Sequence, residues 1–248
     1  MESHINFVML DKKPKYNGYT LIEGFPGYGL VGTIAVNFLA EKFKMELVGY
    51  VESTLFPPII AIHDSRPLPP LRIYKSDKHK LILIMSEFVM SMKVVHIMAD
   101  TLYEWCEKNG IKKIVSLGGI SISGKQDEVF GITSDAKEIK MFDKVGVLPI
   151  KEGATTGVNA LLLQKASMGG KIPVVSLLAE AKPEYVDPLG AAMVLTSLSD
   201  YLGIPIDTTE LVKEAMMIET KLRKNIETAR KAESTFKEPQ SGAGGMYA

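Results

Sequence analysis

The stretch "LILIMSE" at 81–87 is apolar at every position from Leu81 to Met85. A strand with that pattern must be covered on both faces, because a half-exposed strand alternates apolar with polar side chains. Six further β-like runs occur, several of them also continuous: "YTLIEG" (19–24), "ELVGYVE" (46–52), "PIIAIHD" (58–64), "LRIYK" (71–75), "KIVSLGGI" (113–120) and "IPVVSLL" (172–178). Segments of helical period lie between and after them, at 29–43, 91–109, 156–168, 188–202 and 208–235. Strand and helix patterns in alternation predict an α/β fold, a largely parallel central sheet flanked by helices. The runs 58–64 and 71–75, joined by "SRPLPP", predict an antiparallel pair whose prolines suit a sheet edge. At 248 residues, 46% hydrophobic, the chain is long enough for one large core with appendages.

Charge and cysteine content narrow the class of function. Lys+Arg and Asp+Glu both number 29, so no overall field advertises nucleic acid or a membrane surface as partner. Cys106 is the one cysteine, which excludes an intrachain disulfide and suits a reducing compartment. "MESHINFVML" lacks the basic and apolar regions of a signal peptide. The uncharged stretch from Gly24 to Ala40 carries four glycines and a proline in 17 residues, a poor match to a membrane span of ~20 mainly apolar residues. A cytoplasmic protein is the expectation.

"EGFPGYGLVG" (23–32) spells G-x-G-x-x-G at Gly27, Gly29 and Gly32, after a strand pattern and before a helical one. Glu52 stands 20 residues after Gly32, where a dinucleotide fold places its ribose-binding carboxylate. A nucleotide-dependent enzyme built on this loop is therefore one reading. Against it, Pro26 precedes the first motif glycine, and Glu23 to Pro26 is long for the usual tight turn. Glu23 would also repel a pyrophosphate. Phe25 and Tyr28, beside Pro26, Gly27 and Gly29, suit a protein contact as well as they suit a ligand loop. The glycines are then expected to serve strand-to-helix geometry.

Elsewhere the chemistry does not close. His63, His79 and His96 are scattered without metal-ligand spacing. "GGISISGKQDE" (118–128) offers Ser121, Ser123 and Lys125, but is neither a P-loop nor a nucleophile elbow. "KEGATTGVNALLLQKA" (151–166) repeats the glycine-turn-to-helix theme, with Thr155 or Thr156 as cap. Two such turns on one side of a sheet outline a cleft, the usual ligand position in α/β proteins. No catalytic constellation, cofactor or metal site is identified, and the chain is read as a non-enzyme.

Residues 1–207 are read as the α/β domain, 208–235 as an amphipathic helix and 236–248 as a flexible tail. Thr208 or Thr209 is the expected helix cap, and Leu211, Ala215, Ile218, Leu222, Ile226 and Ala229 form one apolar stripe. That stripe packs either on its own domain or on a neighbouring subunit. The tail, "FKEPQSGAGGMYA", cannot build a core, yet it carries Met246 and Tyr247.

"LIEGFPGYGLVGTIAVNFLAEKFKMELVGYVES", "FPPIIAIHDSRPLPPLRIY" and "GATTGVNALLLQKASMGGKIPVVSLLAEAKPEYVDPLGAAMVLTSLSDYLG" resemble the archaeal proteasome-assembly-chaperone homologue family. The resemblance covers roughly residues 15 to 203. It implies a nucleoside-phosphorylase-like sandwich without that fold's active site, and a homo-oligomer of four or five subunits. Met246-Tyr247-Ala248 resembles the hydrophobic–Tyr–any-residue terminus that inserts between α-subunits of the 20S proteasome. By that resemblance Met246 fills an apolar groove, Tyr247 stacks and hydrogen-bonds, and the Ala248 carboxylate pairs with a lysine. Phe25, Pro26, Gly27, Tyr28 and Gly29 are candidate loop contacts. The alternatives are an ATP-grasp-like or dinucleotide-binding enzyme using the Gly27–Gly32 loop, and a scaffold whose tail binds a related chaperone subunit.

Overall fold

In the computed structural model, which describes residues 5–10, 16–122, 128–181, 186–213, 215 and 217, the apolar runs join one sheet of nine strands. In chain order the elements are β1 (Asn6–Met9), β2 (Thr20–Gly24), a 3₁₀ turn (Tyr28–Leu30), α1 (Val31–Lys42) and β3 (Glu46–Glu52). There follow β4 (Ala61–His63), β5 (Arg66–Leu68), β6 (Leu71–Ser76), β7 (Leu81–Ser86), α2 (Met92–Lys108) and β8 (Lys113–Ile120). The chain continues through β9 (Val129–Thr133), α3 (Ala136–Lys144), β10 (Leu148–Pro149), α4 (Gly157–Ser167), β11 (Val174–Glu180) and α5 (Pro188–Leu202).

The sheet order is β1-β3-β6-β7-β2-β8-β11-β9-β10. Parallel pairing holds at β7–β2, β2–β8, β8–β11 and β9–β10; the other four neighbours (β1–β3, β3–β6, β6–β7, β11–β9) are antiparallel. The sheet is thus mixed, with its parallel part concentrated at the centre. Strands β6 and β7 are linked by a turn too short for a crossover, so they must run antiparallel.

The expected pairing of 58–64 with 71–75 is replaced by a different one. Strand β4 folds back on β5, with His63 opposite Arg66, while β6 enters the main sheet between β3 and β7. Asp64 and Ser65 both take positive φ (49° and 61°), the backbone of a two-residue hairpin loop that matches strand twist. That local closure satisfies β4 within eight residues and releases 71–76 for the sheet. Strands β1, β5, β9 and β10 and helix α3 had no counterpart in the sequence reading. Helix α3 did carry a signal: the Asp135 side chain accepts from the Lys137 N–H, with Glu138 in the first turn.

Both faces are covered, with the period-two division that continuous apolar strands require. Leu21, Ile82, Ile84, Ile114 and Val174 face α2 and α4, beside Met98, Leu102 and Leu162. Ile22, Leu83, Val115, Leu117, Val175 and Leu177 face α1, α3 and α5, beside Val36, Leu39, Phe142 and Leu198. After α5 the chain is again helical over 209–213, and Leu211 is buried on the α1/α5 side. The cap there is Asp207, which accepts from both the N–H and the hydroxyl of Thr209, so neither expected threonine caps with its own side chain. Lys42 binds Asp207 at 3.2 Å and Glu210 at 3.3 Å, tying this start to α1. Ala215 is half-buried, whereas Ile218, Leu222, Ile226, Ala229 and the tail from 236 lie outside the described residues.

Candidate functional site

Three central parallel strands carry the same local pattern: two apolar residues, then a polar one. These are Leu21-Ile22-Glu23 on β2, Ile114-Val115-Ser116 on β8 and Val174-Val175-Ser176 on β11. Register aligns them, with Glu23 opposite Ser116 and Ser116 opposite Ser176. Because side chains alternate, all three polar groups share the α2/α4 face near the carboxyl ends of the strands. Asn159, from the first turn of α4, completes the row. Ser116 Oγ donates to Glu23 Oε1, Ser176 Oγ donates to Asn159 Oδ1, and the Phe25 N–H donates to Glu23 Oε2 at 3.2 Å. Asn159 Nδ2 reaches Thr155 Oγ1 at 3.4 Å.

A cleft of about 890 Å³ opens over this row, with Glu23, Ser116 and Asn159 in its lining. One wall is the turn containing Phe25, Pro26, Gly27 and Tyr28; another is the 151–157 turn. The two glycine turns therefore meet at one cleft. Thr156 occupies the α4 cap position without a side-chain cap bond, and Thr155 engages Asn159 instead.

Glu23 is 3% exposed, and burial pushes its carboxyl up to about 7 despite the hydrogen bonds from Ser116 and Phe25. Sequence reasoning saw this residue only as a repulsive neighbour of a phosphate. It missed Ser116, Asn159 and Ser176; the repeated apolar-apolar-polar pattern in three strands was the available signal.

The motif glycines serve packing more than an open phosphate cradle. Gly27 is extended (φ −155°), and a Cβ there would meet nothing within 4 Å. Gly29 is left-handed (φ 62°) and buried, and a Cβ would stand 2.9 Å from the Cβ atoms of Ala181 and Asp187. Its carbonyl also accepts the Asp187 N–H at 2.8 Å, which docks the start of α5. Gly32 lies against β8, where a Cβ would be 2.1 Å from the Leu117 carbonyl oxygen. Gly24 is equally tight, since a Cβ there would stand 2.1 Å from the Gly32 carbonyl oxygen.

Topology removes the other half of the dinucleotide pattern. The strand ending at Glu52 is three places from β2, with β6 and β7 between. At ~4.8 Å per strand that places it ~14 Å away laterally. A dinucleotide fold needs those strands adjacent.

The candidate loop contacts divide. Tyr28 is exposed, Phe25 and Pro26 are half-buried with Phe25 against the α2/α4 core, and Gly29 is covered. Ser121 lines the cleft mouth, whereas Ser123 and Lys125 lie outside the described residues, as do Met246, Tyr247 and Ala248. His63 binds Glu87 at 2.7 Å, and Glu87 also pairs with the buried Arg72. Burial alone would raise the Glu87 carboxyl, but its bonds to Arg72 and His63 outweigh that and hold it low. His79 stacks on Phe43 at 4.3 Å. Cys106 is buried, which pushes its thiol up and away from reactivity. Among the described residues no cluster of His, Cys, Asp and Glu forms a metal site, and no helix is long and apolar enough to cross a membrane.

The whole architecture recurs in solved structures. Pyrococcus furiosus PbaA, an archaeal homologue of a proteasome-assembly chaperone, superposes with a TM-score of 0.83 at 35% identity, covering 94% of this chain and 95% of PbaA. Pyrococcus furiosus PbaB, an archaeal proteasome activator, superposes with a TM-score of 0.76 at 25% identity, covering 90% of this chain and 99% of PbaB. A Methanocaldococcus jannaschii protein is 32% identical over 212 residues, 85% of this chain and 87% of its own length. The family model for PAC2 matches residues 21–226, from the central strand β2 to beyond α5. The chain therefore belongs to the PAC2 family.

Proposed function

We propose that this protein is a proteasome-assembly chaperone or activator-like partner of the 20S proteasome, acting without ATP and without catalysis. The observation that carries the reading is its likeness to PbaA over nearly the whole of both chains. PbaB, with the same fold, is a proteasome activator, which widens the role to include activation. Docking is assigned to Met246, Tyr247 and Ala248, at the end of a segment holding Gly242, Gly244 and Gly245. Tyr247 has few torsions to freeze, and a terminal carboxylate is a compact charge. Binding through a short terminal segment spends much of the contact energy on ordering it, so one tail is expected to bind weakly. A homo-oligomer of four or five subunits presents several tails to a ring of pockets and gains ~10²–10⁴-fold in avidity.

The test is association of the purified full chain with purified 20S core particle, followed by analytical ultracentrifugation. Deleting 246–248, or Tyr247→Ala, is expected to abolish association and leave the oligomer intact. Undiminished association after the deletion overturns tail docking. Association that appears only when a second, related chaperone is added moves the tail's target to that subunit.

A further inference from the structure

We propose that the cleft over β2, β8 and β11 binds a small organic amine, its ammonium group seated on the Glu23 carboxyl and its body against the apolar lining. The site is distinct from the tail and independent of proteasome docking.

The first support is the placement of Glu23. Among the described residues its partners are Ser116 Oγ and the Phe25 N–H, both neutral donors. A carboxyl this deep in a sheet is costly to ionise without a cation, and no lysine or arginine bonds to it. At the adjoining positions on the other face the same strands carry Ile22, Val115 and Val175, all apolar. A ligand cation meets that need directly.

The second is the count of donors and acceptors. The Ser116 hydroxyl proton is spent on Glu23, the Ser176 proton on Asn159, and the Asn159 amide reaches Thr155. At the Glu23 end the floor offers a ligand acceptors, the carboxyl lone pairs and those of Ser116 Oγ, while the donors left to it, the second Asn159 amide N–H and the Thr155 and Thr156 hydroxyls, stand at the α4 end. An ammonium brings three donors and no acceptor, the complement of the Glu23 end.

The third is sign and size. Among the described residues, the charged and titratable ones lining the cleft besides Glu23 are Tyr28, Lys151 and Glu152, so their rim charges offset each other and none is an arginine. Above about pH 7 a phosphate or carboxylate seated on the floor would meet the ionised Glu23 carboxylate, with Lys151 only at the rim. Phe25, Tyr28, Ile132, Ile150, Val158 and Leu178 supply apolar and aromatic wall. The volume, about 890 Å³, falls in the range of small-molecule sites. Because burial holds the carboxyl near neutrality, amine binding below about pH 7 expels its proton.

Calorimetry on the full chain with phenethylamine, at about pH 8, tests the site. Two companion ligands are 3-phenylpropionate, which inverts the charge, and Ala-Lys-Ala blocked at both ends, which places the ammonium on a peptide. Saturable binding of phenethylamine is expected, with the acid at least ~10-fold weaker. Glu23→Gln keeps a partner for Ser116 and is expected to weaken the amine by ~10-fold or more. Ala154→Trp, at the exposed rim, should also weaken it while leaving Glu23 untouched, which protects the test should the first variant fold poorly. Binding of the blocked peptide alone keeps the ammonium site and makes its source a protein side chain. No saturable binding by either amine, equal binding of the acid, or full affinity in both variants overturns the proposal.

Discussion

The two faces of the central strands differ in kind, although alternate residues of the same three strands build both. On the α1/α5 side, Ile22, Val115, Leu117, Val175 and Leu177 are buried without a polar atom among them, and glycines let β2, α1 and β8 touch backbone to backbone. On the α2/α4 side the neighbouring residues Glu23, Ser116 and Ser176 form a polar row under an open cleft. One face is closed at these positions by apolar packing. The other keeps a buried carboxyl that raises no obvious stability and faces the cleft. The difference teaches that apolar sealing and a polar cleft floor can be assigned to alternate positions of the same strands.

The largest effect expected from breaking this division lies on the sealed face. Gly32→Ala drives a Cβ to 2.1 Å from the Leu117 carbonyl oxygen, so backbone must move, and about 3 kcal/mol or more of stability is lost. Gly27→Ala, in an extended and open position, should stay within about 0.5 kcal/mol. Urea unfolding of the pair separates packing glycines from a phosphate cradle. Equal losses would show that the two glycines share one role.

Next in size is the pH response of the polar face. The Glu23 carboxyl rises from 4.5 to about 7 on folding, so the native state binds its proton more tightly than the unfolded chain. Its contribution is fully present below about pH 4.5 and is lost as pH rises through 7, a change of roughly 3 kcal/mol at most. Glu23→Gln is expected to flatten that part of the stability–pH curve and to be the more stable protein at about pH 8. An identical pH profile for both proteins would place the titration elsewhere.

The smallest effect sharpens the boundary of the row. Ser176→Ala removes the donor to Asn159 Oδ1 and is expected to cost about 1 kcal/mol, since the freed acceptor lies beside a cleft that admits water. A loss as large as that of Gly32→Ala would mean that the row is sealed like the opposite face.

Much of the scaffold was legible from local pattern. Helices expected at 91–109, 156–168 and 188–202 are found at Met92–Lys108, Gly157–Ser167 and Pro188–Leu202, because amphipathic period and end signals are written within each segment. The strand-to-helix role of the glycine turn was also readable from Pro26 and the neighbouring aromatics. The partner of 71–76 was not, since a strand's pairing depends on residues far off in sequence, and Asp64-Ser65 closed β4 locally. Helix α3 was too short and too polar to stand out, despite its Asp135 cap.

By itself, then, the sequence determined the α/β class, the covered sheet and the family likeness. These depend on side-chain period and on contiguous residues, which a linear string preserves. Tertiary structure alone decided that the strand carrying Glu52 lies three places from the glycine turn, and that the turns at 25–28 and 151–157 face one cleft. It also decided that Glu23, Ser116 and Ser176, each unremarkable in its own strand, stand side by side. Strand order and register are set by the burial of all helices and strands together, and no local segment encodes that sum.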